Sequence, residues 1–421
     1  METIEIKRDR YLNKLIEKRG NGLIKVITGI RRCGKSYLVF VQFKNFLLEE
    51  GIDPSHILEM AFDDRRNVKY RDPDAFDEYI DSKLEDDSIY YILLDEVQMM
   101  DDFEGVLNGL LRRRNTDIYV TGSNAKFLSR DVITEFSGRG DEIHLNPLSF
   151  LEFMSCYSGN KYDGWNEYVQ FGGLPPVVLQ KSIDSKMKLL VDLNKETYIR
   201  DITARHKIRN KEEFEELLNV LASGIGALTN PTKLSDTFKT KKRICISKNT
   251  IANYIEYLID AFMIEKAQRY DIKGRRYIDT PFKYYFSDIG LRNAQIGFRQ
   301  IEETHIMENV IFNELRIRGY NVDVGVVETV EKTDDGRRKK KQLEVDFICN
   351  KASKRYYIQS AFSMPDTEKR EQEQKSLLKI DDSFKKMIIA KDVPAPWYTE
   401  EGILVTGLFD FLQDPDSLEK L

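Results

Sequence analysis

The chain has 421 residues, 41% hydrophobic and 11% aromatic, which excludes global disorder and leaves room for about two to four domains. With 32% charged residues and a formal net charge of −5, nucleic-acid binding driven by whole-chain charge is excluded, and any such footprint is local. No apolar stretch nears the ~20 residues of a membrane span, Met1–Arg8 lacks signal-peptide character, and Cys33, Cys156, Cys245 and Cys349 are too scattered for a disulfide framework or zinc site, so a cytoplasmic protein without membrane contact is expected.

In chain order, the apolar run Leu23-Ile24-Lys25-Val26-Ile27 predicts a buried strand. It breaks into Gly29-Ile30-Arg31-Arg32-Cys33-Gly34-Lys35-Ser36, a G-x-x-x-x-G-K-S pattern, and a helix follows from Tyr37. A strand, glycine loop and helix in that order present a nest of backbone N–H groups to a phosphate. The glycines let residues 29–37 wrap a β-phosphate, Lys35 reaches the β/γ oxygens, and the Ser36 hydroxyl ligates Mg²⁺. The expectation is a bound nucleoside triphosphate.

Further strands are expected at 56–62, 89–96, 118–123 and 142–145, with helices over 73–84 and 103–114. Continuously apolar strands between helices indicate a parallel sheet covered on both faces. The strand Ile89–Glu96 ends in two acids. Asp95 is expected to hold Mg²⁺ through its water shell, and Glu96 to polarise the attacking water. Ser123 and Asn124 are placed to sense the γ-phosphate or orient that water, although Thr121-Gly122-Ser123-Asn124 serves equally as a helix cap.

These fragments resemble the predicted AAA+ ATPases of bacteria and archaea that carry a C-terminal domain of unknown function. Val26–Ser36, Leu94-Asp95-Glu96-Val97-Gln98, Thr121–Asn124, Gly138-Arg139 and Pro147–Phe153 carry the likeness, with Phe171-Gly172-Gly173-Leu174-Pro175 and Tyr198-Ile199-Arg200-Asp201-Ile202 further on. The resemblance implies ATP as the nucleotide and an AAA+-like P-loop NTPase domain over 1–165. In AAA+ ATPases the location of Arg139 supplies an arginine finger to a neighbouring subunit, which implies a homo-oligomer; a surface arginine in a glycine turn is the plainer alternative.

A helical linker or lid is expected over 166–205, then a winged-helix domain over 206–295. Its key helix follows Ser247, a cap, and buries Ile251, Ile255, Leu258 and Ile259, leaving Lys248, Asn249, Asn253 and Tyr254 as outward candidates for a DNA groove. A loop with Lys273, Arg275 and Arg276 joins two wing strands. Winged helices also dock proteins, so DNA and a protein partner both stay open.

Residues 296–421 order as helix, three strands, helix and strand, which resembles the PD-(D/E)xK restriction-endonuclease-like α/β fold. Glu308 and Asp346 stand at its first two acidic positions, and Gln359-Ser360-Ala361 replaces the third element without its lysine. Glu308, Asp346 and Gln359 are therefore a possible second metal site, with cutting of nucleic acid not expected. The leading expectation is an ATP-hydrolysing protein acting on DNA. The alternatives are an ATP-gated switch that holds a protein partner and an ATP-controlled metal-dependent nuclease.

Overall fold

A computed structural model describes residues 5–122, 138–242, 245–299, 302–332 and 338–420. The chain forms two compact units. The first comprises Met1–Pro147, Leu174–Pro176 and Asp260–Phe262, and the second holds the remainder.

In the first unit, β1 (Ile24–Thr28), β2 (Ile57–Ala61), β3 (Tyr90–Asp95), β4 (Thr116–Thr121) and β5 (Gly140–His144) form one sheet in the order β2-β3-β4-β1-β5. Every neighbouring pair is parallel. All of β1 and β3 is buried, as the unbroken apolar runs require of central strands covered on both faces. One face packs on Phe76 and Ile80 of the helix Pro73–Asp81 and on Phe103, Val106, Leu107 and Leu110 of the helix Phe103–Leu110. The other receives Phe43, whose ring lies 4.4 Å from Tyr119 and 6.5 Å from Tyr91. Asp72 caps the helix Pro73–Asp81 through the Ala75 amide, and Pro73 sits where a missing N–H does no harm. The one lysine in β1, Lys25, is neutralised in the interior by Asp117 of β4.

In the second unit, helices Lys161–Phe171, Ile183–Asp192, Lys211–Ser223, Pro231–Thr237 and Lys248–Asp260 precede an eight-stranded sheet. Its strands are β6 (Ile264–Asp271), β7 (Arg276–Phe286), β8 (Asn321–Lys332), β9 (Arg338–Lys351), β10 (Lys354–Ala361), β11 (Lys385–Ala390), β12 (Trp397–Tyr398) and β13 (Leu404–Gly407). Their order is β12-β13-β11-β10-β9-β8-β6-β7. The β6–β7 hairpin, expected as the two wing strands, is joined to the C-terminal sheet through parallel pairing of β6 with β8. The helix Glu303–Ile317 lies against this sheet, with Phe312 stacked on Tyr285 of β7. The Gly172-Gly173 break has a specific cause. The Asp288 carboxylate accepts from the Gly173 amide at 2.8 Å, and a Cβ on Gly172 (φ +73°) would stand 2.4 Å from an Asp288 carboxylate oxygen.

Among the described residues, no helix is long and apolar enough to cross a membrane.

Candidate nucleotide site and a buried acid–lysine cluster

The glycine loop leaves the carboxyl end of β1, where ligands sit in open parallel sheets. Gly29 has φ +138°, and a Cβ there would fall 2.1 Å from the Leu145 carbonyl oxygen, so only glycine fits the turn. Gly34 (φ +104°) and Arg32 (φ +66°) are also left-handed. Ile30 and Cys33 turn into the core, while Arg31, Arg32, Ser36 and Tyr37 are exposed. A helix starts at Lys35, passes through a π-helical stretch at Leu38–Phe43 and ends at Glu49. Lys35 is buried and folds back over the loop, its Nζ donating to the carbonyls of Gly29 at 2.9 Å and Ile30 at 3.2 Å. A lysine held only by backbone carbonyls can exchange them for phosphate oxygens, which carry full charge.

Asp95 closes β3 and is buried. Burial pushes its carboxyl up, against hydrogen bonds from Thr121 and Ser36 that pull it down. The two groups expected to share Mg²⁺ thus act on one another. Glu96 adopts a left-handed backbone (φ +51°), uncommon outside glycine and typical of residues held in place for function. The Gln98 amide donates to its carboxylate, and its own N–H donates to the Thr121 hydroxyl at 3.4 Å.

Thr121 therefore touches both acids, and Ser123 and Asn124, expected to sense the γ-phosphate or orient the water, lie outside the described residues. A second addition is Arg8, a buried side chain that donates to the Cys33 carbonyl at 3.1 Å and the Asn146 carbonyl at 2.7 Å, fastening the loop to the segment after β5. Its signal was faint, one arginine in a charged opening.

Arg139 stands elsewhere. Its carbonyl accepts from the Ile24 amide at 2.9 Å, and its guanidinium donates to Asn108 at 2.9 Å. It therefore borders the amino end of β1, and the glycine loop leaves the other end, a strand's length away at ~3.3 Å per residue. It cannot reach a nucleotide in its own loop.

In the second unit, Glu308, Asp346 and their neighbours form a tight cluster with one unforeseen member. Lys283 of β7 enters its centre, with Nζ 2.8 Å from Glu308, 2.7 Å from Glu344 and 3.9 Å from Asp346. The Tyr285 hydroxyl donates to Glu308 at 2.6 Å, and the Ser360 amide to Asp346 at 2.8 Å. Gln359 follows Ile358, which pairs with Phe347, and so comes beside Asp346 in the sheet; its amide oxygen accepts from Ser376 at 3.5 Å.

Burial works against the Lys283 charge, but Glu308, Asp346 and Glu344 hold its ammonium above the usual lysine range. Burial likewise opposes the Glu308 charge, and Lys283 with three hydrogen bonds keeps this carboxyl below its ordinary value. Asp346 is pushed up to about 8 by burial and by Glu308. The expected metal position thus holds an ammonium, and among the described residues no three His, Cys, Asp or Glu side chains stand as a metal-holding group.

The helix Lys248–Asp260 is capped by Ser247 through the Thr250 amide, and it exposes Lys248, Asn249 and Asn253 as expected. Tyr254 is corrected. It is buried, with its ring edge-on to Phe214 at 5.4 Å, because Phe214 approaches the face that the helical spacing left ambiguous.

Residues 21–154 match the family described as an AAA domain, and residues 162–302 a domain of unknown function, DUF8612. An uncharacterized protein of Haemophilus influenzae is 35% identical over 422 residues, covering 98% of this chain and 100% of its own. An uncharacterized protein of Methanocaldococcus jannaschii is 28% identical over 88% of this chain and 82% of its own. Among solved structures, the Aeropyrum pernix ORC1 protein in complex with DNA overlaps 69% of this chain and 92% of its own, at 11% identity and a TM-score of 0.29. A Vibrio cholerae protein overlaps 94% and 96%, at 12% identity and a TM-score of 0.20. Overlaps this loose carry no argument. The parallel five-stranded sheet agrees with the AAA-domain match over the same residues.

Proposed function

We propose that this chain, which belongs to the family of its Haemophilus influenzae relative and carries an AAA domain, binds ATP with Mg²⁺ in the loop 29–37, hydrolyses it and uses the turnover on DNA. The observation that carries the reading is the buried Lys35 folded over a loop that only glycine permits at position 29, with the buried Asp95 closing β3. A lysine and an acid beside a loop of amides suit a magnesium triphosphate. Bound there, the metal would neutralise charge on the phosphate oxygens.

In this reading Lys35 leaves the carbonyls of Gly29 and Ile30 for the β/γ oxygens. Asp95 and Ser36 hold the metal, and Glu96, oriented by Gln98, takes the proton of the attacking water. Ser123 and Asn124 assist at the γ-phosphate. Arg139 serves a site on another copy of the chain, since its own loop is out of reach, and a homo-oligomer follows.

DNA as the substrate rests on the exposed Lys248, Asn249 and Asn253 at the start of a capped helix, a disposition suited to a groove. Cutting is no part of the proposal, because Gln359-Ser360-Ala361 lacks the lysine of the motif it resembles. The test is steady-state ATP turnover of wild type and Glu96→Gln, with and without single-stranded, duplex and branched DNA. Glu96→Gln should keep nucleotide binding and lose turnover by about a hundredfold or more. Wild-type turnover should rise with DNA and fall steeply with salt. Turnover indifferent to every DNA would transfer the reading to an ATP-gated switch for a protein partner.

A further inference from the structure

The turn between β6 and β7, the turn between β9 and β10, and the loop before β11 converge on a cleft of about 710 Å³ in the second unit. Lys273 and Arg275 reach it from the first turn, and Lys354 and Arg355 from the second. Asp381 and Asp382 also line it, so four cations face two acids. Asp382 is engaged by the Tyr357 hydroxyl at 2.6 Å, and Lys354 by Glu419 at 2.9 Å. Among the described residues Lys273 donates only to the Glu328 carbonyl, at 3.2 Å, and Arg275 is exposed.

Aromatic rings alternate with this charge. The Arg355 guanidinium lies 5.3 Å from the Phe384 ring and 5.7 Å from the Tyr270 ring. Its Nε donates to Asn350 at 2.7 Å, which fixes the plane between them. Tyr270 in turn meets Tyr277 edge-on at 5.2 Å. Phe384, which lines the cleft, is 41% exposed and offers a ring face to a ligand there.

We infer that this cleft binds single-stranded nucleic acid, with a base stacked on Phe384 and phosphates held by Lys273 and Arg275. The argument is one of complementarity. A polyanion alone would satisfy the cations and leave the Phe384 ring in water, whereas a strand with unpaired bases answers both. Duplex DNA keeps its base faces stacked on one another and cannot offer them to a ring. An acidic peptide meets only the cations. The inference rests on the reading that the chain acts on nucleic acid, but it places the strand in a cleft separate from the helix Lys248–Asp260.

The experiment is fluorescence anisotropy of the full chain with a labelled oligodeoxythymidylate, for wild type, Phe384→Ala, the double variant Lys273→Ala/Arg275→Ala, Lys248→Ala and Lys188→Ala. All the substituted side chains are exposed, and unchanged melting temperatures verify that the fold survives. Phe384→Ala should weaken binding about tenfold or more, the loss of one base–aromatic stack. The double variant should lower the slope of log K against log salt by about 1.4, two single-strand phosphate contacts at about 0.7 each. The control Lys188→Ala, at an exposed position on the helix Ile183–Asp192, should leave oligonucleotide binding in place.

Wild-type binding that only Lys248→Ala abolishes would overturn the cleft and leave the DNA reading standing. Duplex bound as tightly as the single strand, or full displacement by polyglutamate at equal charge, would also overturn it. Wild type that binds neither single strand nor duplex would remove both the cleft and the DNA reading.

Discussion

Replacing Lys283 with methionine removes the ammonium that Glu308 and Glu344 share while keeping most of the stem volume. The cost can be worked by two routes. If Glu308 stays ionised, it becomes a buried carboxylate with only the His305 imidazole, 4.0 Å away, in place of the ammonium, and breaking such a pair from one side costs about 3–5 kcal/mol. If it takes up a proton instead, raising its pKa from the ordinary 4.5 past pH 7 costs about 3 kcal/mol at 1.36 kcal/mol per unit. The routes agree on a loss of about 3 kcal/mol at pH 7.

Both tryptophans, Trp165 and Trp397, lie in the second unit, so their fluorescence in urea reports its unfolding. In wild type the lowered Glu308 pKa contributes stability above its unfolded value, and this is lost as pH falls through the folded pKa. The variant's raised carboxyl works the other way, so the gap between the two proteins should narrow to about 1 kcal/mol at pH 5. Lys283→Met combined with Glu308→Gln should recover most of the loss at pH 7, since the buried carboxylate is gone and Glu344, the other partner of Lys283, is part-exposed to water. A loss under about 1 kcal/mol at pH 7, or one equally large at pH 5, would refute the claim that Lys283 is the counter-ion of this cluster.

Gly29→Ala should abolish nucleotide binding and lower stability by a few kcal/mol, because its Cβ would overlap the Leu145 carbonyl at 2.1 Å; retained binding by titration calorimetry would count against the loop geometry. Asp346 holds a proton to about pH 8 in the folded chain, against 3.8 when unfolded, so folded protein should lose stability as pH rises through that window. Asp346→Asn removes this titration, and its melting temperature should fall less than that of wild type between pH 6 and 8; parallel melting curves would show that Asp346 does not titrate there.

The first unit was legible because its chemistry is local. Loop, strand and acid pair follow from contiguous residues, and Gly29, Lys35, Ser36 and Asp95 lie where spacing puts them. The acid cluster was only half legible. Glu308 and Asp346 could be marked by pattern, but Lys283 joins them through the pairing of β6 with β8, which no short window of sequence encodes. Tyr254 shows the same limit on a helix. Spacing alone left it beside the exposed face, and Phe214 from another helix decided for burial. Arg8 acts through backbone carbonyls of distant segments, contacts that leave no mark on residue type at the other end.

The central claim is most directly tested by titration calorimetry of the purified chain with Mg²⁺ and a slowly hydrolysed ATP analogue, beside Lys35→Ala. Saturable binding by wild type, lost in Lys35→Ala while melting temperature is kept, is the predicted result. No heat from wild type, or equal affinity in both proteins, would contradict it.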